Sequence, residues 1–124
     1  MSDGVRRAEP LLLIAVGGFA GATCRFFLDG AFPVGFPWGT LAVNVLGSFL
    51  LGVLLYENRL VGALSPETRL VLGTGFLSSF TTYSTFAVET SALAPPLAAA
   101  NVAANYILGL LAVVLGRVVA RVLS

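Results

Sequence analysis

Four long apolar runs, separated by short breaks rich in proline, glycine and charged residues, dominate this sequence. They span residues 11–28, 38–56, 70–93 and 97–119, and each is close to the roughly 20 residues that a helix needs to cross a bilayer. Only 10% of the residues are charged, against roughly 25% in an ordinary soluble domain. The chain is therefore predicted to be an all-α integral membrane protein in which residues 1–124 form a single domain with four transmembrane helices.

The charged and reactive side chains exclude several functional classes. The 124 residues include no lysine and no histidine, and the net charge is +1. The chain therefore has no basic patch for nucleic acid and no imidazole for acid–base catalysis or metal binding, and we predict that it is not an enzyme. Its single cysteine, Cys24, excludes an internal disulfide and a multi-cysteine metal site, and is interpreted as a small buried apolar residue.

Arginines near the ends of the runs predict the orientation of the chain in the membrane. The N-terminal tail, the connection between the second and third runs, and the C-terminus must share one side, and that side holds Arg6, Arg7, Arg59, Arg69, Arg117 and Arg121. The opposite side holds only Arg25. Because cytoplasmic segments are enriched in arginine, both termini are predicted to be cytoplasmic in a multi-pass protein of the cell membrane.

An alternative interpretation treats the first run as a cleavable signal peptide, since Arg6 and Arg7 precede it and small residues occupy positions 20–22. Cleavage there would discard the glycine-rich helix face that Gly17 and Gly21 form. The four-residue spacing of these glycines favours close packing of membrane helices. We therefore favour a first helix that is retained.

A cluster of hydroxyl side chains sets the third run apart from the others. Residues 78–85 include six serines and threonines at membrane depth. One or two would be explained by bonds to the preceding turn of the helix or to a neighbouring helix. Six, preceded by Gly73 and Gly75, lower the helix propensity, and non-helical backbone at this depth has to meet protein, water or an ion. We predict a break near residues 78–82 that lines a pathway.

The second run adds a polar stripe, because Thr40, Asn44 and Ser48 recur every four residues. In the third run Tyr83 and Phe86 share a face. Amide and hydroxyl donors with aromatic ring edges suit a small anion, and neutral donors let the ion leave again. Two charged residues inside the predicted spans, Glu89 and Arg25, lie toward the span ends, where either interfacial exposure or packing would explain them.

The segments 39–49 (GTLAVNVLGSF) and 73–86 (GTGFLSSFTTYSTF), followed by Glu89, resemble the bacterial and archaeal Fluc/CrcB fluoride channel family. The segment 17–25 resembles the first helix of that family, so the resemblance covers nearly the whole chain. It implies a fluoride-selective channel that exports toxic fluoride through the cell membrane of a prokaryote. It also implies an antiparallel dimer with two pores, set in membrane lipid, in which the third helix is broken near its middle.

The resemblance also implies roles for particular residues. Asn44 matches the pore asparagine of the second helix, and Thr40 lies one turn away toward an aqueous vestibule. Phe86 matches the second phenylalanine of an aromatic pair, and Tyr83 stands where the first is usual. Ser84 and Thr85 match a polar track of the third helix. The resemblance also implies a structural sodium ion held by the backbone carbonyls of Ser78 and Thr81, although glycines usually occupy positions 78 and 79. For a polar position in the fourth helix, Asn105 is the candidate.

Other functions and assemblies are weighed against this interpretation. A small four-helix multidrug exporter would need a membrane-embedded carboxylate in the first helix, and residues 11–28 contain none. A membrane assembly subunit would leave the hydroxyl cluster without a purpose. An antiparallel dimer of identical chains needs each chain to insert both ways, which a six-to-one arginine distribution disfavours. We therefore predict pairing with a homologous second subunit of opposite orientation.

Overall fold

The computed structural model describes residues 3–60 and 64–123, and that part of the chain is helical without strands. The all-α prediction is therefore confirmed. In chain order the elements are α1 Asp3–Gly30, α2 Trp38–Leu60, α3 Pro66–Arg69, a π-helix Leu70–Leu77, α4 Ser78–Phe80, α5 Ser84–Ala92 and α6 Pro95–Leu123.

Three of these helices are long and apolar enough to cross a membrane, and they contain the first, second and fourth predicted spans. Their membrane-length parts are Arg6–Gly30, Trp38–Glu57 and Pro95–Leu123. Helix α1 begins eight residues before the apolar run at residue 11, because helical structure continues into polar sequence that hydropathy excludes. The third predicted span, 70–93, corresponds to the π-helix, α4 and α5 rather than to one continuous helix.

Glycines allow the backbones of neighbouring helices to touch. A Cβ added at Gly17 would overlap the carbonyl of Val71, and one added at Gly21 would overlap the carbonyl of Phe76, so α1 packs directly on the π-helix. Gly52 and Gly116 bring α2 and α6 equally close together. Small residues at such contacts are typical of membrane helix packing, and the predicted role of Gly17 and Gly21 is confirmed.

Substituting Gly21 is expected to destabilise this contact. In Gly21→Ala the three atoms nearest the new methyl group belong to the main chain of Phe76 and Phe80, so we expect the midpoint of thermal unfolding in detergent to fall by several degrees, as overpacked cores typically lose about 1–3 kcal/mol. Gly30→Ala is the matched control, because nothing lies within 4 Å of the added Cβ. Equal stability of the two variants would contradict the proposed contact.

Polar contacts join the C-terminal end of α2 to α3 and α6. Glu57 accepts hydrogen bonds from the Leu64 amide at 3.1 Å and from Arg69 at 3.4 Å, and the Arg117 guanidinium lies 5.3 Å from the centre of the Tyr56 ring. Arg69 and Arg117 therefore lie at the same end of the molecule. The side chain of Arg59, which was counted with them, lies outside the described part.

The interpretation of Cys24 as a buried residue is wrong. Its side chain is exposed on the surface of the single chain. In a membrane protein an apolar side chain can face lipid as well as the protein interior, so the apolar character of Cys24 does not predict its burial.

Candidate functional site

Helical structure is interrupted between α4 and α5, within the hydroxyl cluster. Helix α4 ends at Phe80, Thr81 has extended backbone with φ −80° and ψ 159°, and α5 begins at Ser84. The amide N–H of Thr82 does not bond to the Ser78 carbonyl one turn back, as in a continuous helix, but donates to Oδ1 of Asn44 at 2.8 Å. The interruption is thus stabilised by a side chain from α2.

Asn44 makes three hydrogen bonds around this interruption. Besides accepting from Thr82, its Nδ2 donates to the Thr82 carbonyl at 3.0 Å and to Oδ1 of Asn105 at 3.1 Å. One amide side chain therefore pairs with both the N–H and the C=O of one residue, which replaces the bonds that a helix would have supplied. Both N–H groups of Asn44 have acceptors.

The hydrogen bonds continue from Asn105 into α5. Asn105 Nδ2 donates to the carbonyl and to Oδ1 of Asn101, at 2.9 and 3.1 Å. Asn101 Nδ2 donates to the Thr90 hydroxyl at 2.9 Å, and that hydroxyl donates to the Phe86 carbonyl at 2.7 Å. Asn101 is completely buried. The sequence does not assign a role to Asn101 or Thr90, although the four-residue spacing of Asn101 and Asn105 is an available signal.

A cavity of about 470 Å³ lies beside the interruption, between α2, the π-helix and α6. The predicted site residues that border it are Asn44, Ser78, Thr81, Tyr83, Phe86 and Asn105. Ser48, from the polar stripe of α2, also borders it, and its hydroxyl donates to the Asn44 carbonyl at 2.7 Å. None of the described residues that line the cavity is charged. The structure therefore brings most of the predicted residues to one uncharged, partly polar space.

Three aromatic rings meet at this cavity. The Tyr83 and Phe86 ring centres are 5.9 Å apart, and those of Phe86 and Tyr106 are 6.3 Å apart with the planes nearly perpendicular. Phe86 is 7% exposed, whereas Tyr83 is 72% exposed in the single chain. Tyr106 is not predicted from the sequence, since a lone aromatic residue in an apolar helix gives no signal beyond packing. Edge-to-face contacts of this kind orient the hydrogen-bearing edges of the rings.

The predicted vestibule residue Thr40 does not line the cavity. It is buried, and its hydroxyl donates a hydrogen bond to Oε1 of Glu89. Of the two explanations left open for Glu89, this contact supports packing, because the carboxylate has a buried partner on α2. The two residues link α2 to α5 at a different point from Asn44 and Thr82.

Ser84 and Thr85 also lie outside the cavity lining. Ser84 is exposed on the single chain, and the Thr85 amide donates to the Thr82 hydroxyl at 3.2 Å. Thr82 therefore acts as a side-chain cap on the first turn of α5. The structure separates these two residues from the polar cavity that the other predicted residues border.

Arg25 of α1 contacts α4, next to the interruption. Its Nε donates to the Ser79 carbonyl at 3.0 Å, so a cation lies at the C-terminal end of a short helix, where carbonyl groups lack partners within the helix. For Arg25, as for Glu89, this contact supports packing rather than interfacial exposure. Charged side chains from α1 and α5 thus bond near the interruption, and neither borders the cavity.

These features define a multi-pass membrane protein whose described part is all-helical, with an uncharged, partly polar cavity beside the non-helical residues between α4 and α5. The family described as "CrcB-like protein, Camphor Resistance (CrcB)" matches residues 12–117. The chain belongs to this family.

Its similarity to curated relatives extends over nearly the whole chain. It is 59% identical over 115 residues to "Fluoride-specific ion channel FluC 1" of Natronomonas pharaonis, which covers 93% of this chain and 97% of that protein. Identity is 55% to FluC 1 of Haloarcula marismortui, over 94% of this chain and 89% of that protein. It is 41% to FluC 2 of Methanosarcina barkeri, over 100% of this chain and 97% of that protein.

Proposed function

We propose that this chain forms a fluoride-selective ion channel through which fluoride leaves the cytoplasm by passive conduction. The observation that carries the proposal is the cavity beside the interruption, which the Asn44 amide and the Phe86 and Tyr83 rings all border. The names of the similar proteins supply the ion. The small multidrug exporter and the assembly subunit have no comparable support.

Neutral donors explain how such a site would conduct an anion. A small anion has to exchange its water for amide, hydroxyl and aromatic C–H donors, and these bind it more weakly than a buried arginine would. The cavity lining includes no carboxylate among the described residues, so no negatively charged side chain there repels an anion. Weak binding by several such groups would let the ion enter and leave.

Flux measurements test the proposal directly. The purified protein in liposomes is expected to release fluoride rapidly and chloride hardly at all, as followed with ion-selective electrodes. Liposomes without protein give the leak. Equal release of the two anions, or release at the leak rate, would refute a fluoride-selective channel.

The proposed membrane arrangement has four spans, with residues 70–93 forming the interrupted third span and both termini in the cytoplasm. Channels of this kind would assemble as an antiparallel dimer with two pores, here with a homologous second subunit of opposite orientation. The exposed Tyr83 ring at the cavity is one group that a second subunit would cover. Active channels from this chain expressed alone, with termini accessible on both sides of the membrane, would contradict the two-subunit arrangement.

A structural sodium ion, which this arrangement includes, fits the residues at the interruption. The Thr82 N–H donates to Asn44 and not to the Ser78 carbonyl, and Thr81 is extended. The carbonyls of Ser78 and Thr81 are therefore available as oxygen ligands, which hard cations prefer. One chain would supply part of the ligand set and the other subunit the rest. Dimer stability that does not change when sodium is replaced by a larger cation during purification would count against this ion.

A further inference from the structure

The structure leaves Asn44 without a free hydrogen-bond donor. Its two N–H groups donate to the Thr82 carbonyl at 3.0 Å and to Asn105 Oδ1 at 3.1 Å. Because an asparagine amide has only these two donors, an anion that binds to Asn44 has to replace one of the two acceptors. The strength with which Asn44 binds an ion therefore depends on the acceptor that is displaced.

Of the two acceptors, Asn105 Oδ1 is displaced by an anion more easily than the Thr82 carbonyl. Thr82 is held by two reciprocal bonds, since it also donates its own N–H to Asn44 at 2.8 Å, and its carbonyl belongs to the main chain. Asn105 is held to Asn44 by one bond between side chains, and it borders the cavity. Its displacement costs one neutral hydrogen bond, whereas displacement of Thr82 would disturb the interruption itself.

We propose that Asn105 is an internal acceptor that competes with fluoride for one N–H of Asn44, and that Asn101 and Thr90 hold it in the competing position. The proposal rests on the proposed function, since it takes fluoride as the ion. Competition of this kind weakens fluoride binding at Asn44. Conduction requires binding that is weak enough for the ion to leave, so Asn105 favours release over retention.

The direction of the hydrogen bonds shows how Asn105 is held. The Thr90 hydroxyl donates to the Phe86 carbonyl, so its oxygen accepts from the Asn101 Nδ2 group. That bond turns Oδ1 of Asn101 toward Nδ2 of Asn105, and Oδ1 of Asn105 therefore faces Asn44. A group that is already ordered in its bound position binds more strongly than a mobile one. Thr90 and Asn101 are thus positioning residues for the competition.

Single-channel recording tests the proposal, because current through one channel does not depend on how much protein is correctly folded. Currents are measured in planar bilayers over a series of fluoride concentrations. In Asn105→Leu, which has a similar volume without an acceptor, and in Asn105→Ala, the fluoride concentration for half-saturation is expected to fall by about 3- to 10-fold, which is the effect of one neutral hydrogen bond. Damage to the structure would weaken binding, not tighten it.

Variants at position 90 test the positioning step away from the cavity. Thr90→Val removes the acceptor of Asn101, so the half-saturating fluoride concentration is expected to shift in the same direction as in the Asn105 variants, but by less. Thr90→Ser keeps the hydroxyl and is expected to retain the wild-type value. Ser91→Ala is the matched control, since the Ser91 hydroxyl is exposed and donates only to the Val88 carbonyl of its own helix.

The outcomes separate this inference from the proposed function. A wild-type protein that carries no fluoride current refutes the proposed function, and the competition with it. A wild-type protein that carries fluoride current, together with Asn105 variants whose half-saturating concentration is unchanged or higher, overturns the competition alone. Thr90→Val and Thr90→Ser with identical values would refute the role of Thr90 in positioning Asn105.

Discussion

Asn44→Asp is expected to reduce fluoride flux by at least about 100-fold. The carboxylate has nearly the shape of the amide, but it offers no hydrogen to the Thr82 carbonyl or to Asn105 Oδ1. Both of these oxygens would then face a carboxylate oxygen instead of a donor. Leaving the two partly buried acceptors without partners costs up to about 1–3 kcal/mol each, and each 1.4 kcal/mol is tenfold. A negative charge at the cavity would also repel an anion.

The measurement is fluoride efflux from liposomes at equal amounts of reconstituted protein. Ser65→Asp is the control, because it places the same charge on an exposed residue outside the four predicted spans, where aspartate can also cap α3. Its flux is expected to lie within about threefold of the wild type, as for most surface substitutions. Flux through Asn44→Asp that matches this control would show that the Asn44 amide does not contribute to the pathway.

The sequence predicts the long helices well, because hydropathy and length alone identify segments that suit a bilayer. It also predicts a break near residues 78–82, since six hydroxyls in residues 78–85 are more than local hydrogen bonds to the preceding turn would explain. It cannot assign the partner of the interruption. Asn44 and Thr82 are 38 residues apart, and their pairing depends on how α2 packs against the third segment.

The site residues that cannot be predicted from the sequence depend on packing as well. Thr90 and Asn101 differ from other polar residues in apolar helices only through the directions of their hydrogen bonds. Tyr106 differs from other aromatic residues only through its contact with Phe86. These hydrogen bonds and ring contacts cannot be predicted from local sequence, because each depends on how two helices pack against each other.

Phe86→Ile is expected to reduce fluoride flux by about tenfold or more while the protein remains folded. The Phe86 ring is the only one of the three at the cavity that contacts both others, Tyr83 at 5.9 Å and Tyr106 at 6.3 Å between ring centres. Isoleucine keeps most of the apolar volume but has no polarised C–H edge to offer an anion. Loss of the Phe86 ring also removes the aromatic contacts of Tyr83 and Tyr106. Aromatic pairs contribute about 0.5–1.5 kcal/mol each beyond buried area, so losing two of them accounts for a factor of this size.

The same liposome assay checks this prediction, with the elution profile in detergent as evidence that the variant is folded. Phe27→Ile is the matched control, because Phe27 is an exposed aromatic residue of α1 that does not line this cavity. Its flux is expected to remain near the wild-type value. If Phe86→Ile elutes normally and conducts fluoride as fast as Phe27→Ile, ring edges do not form part of the pathway, and the donors for the ion have to come from the amide and hydroxyl groups around Asn44 alone.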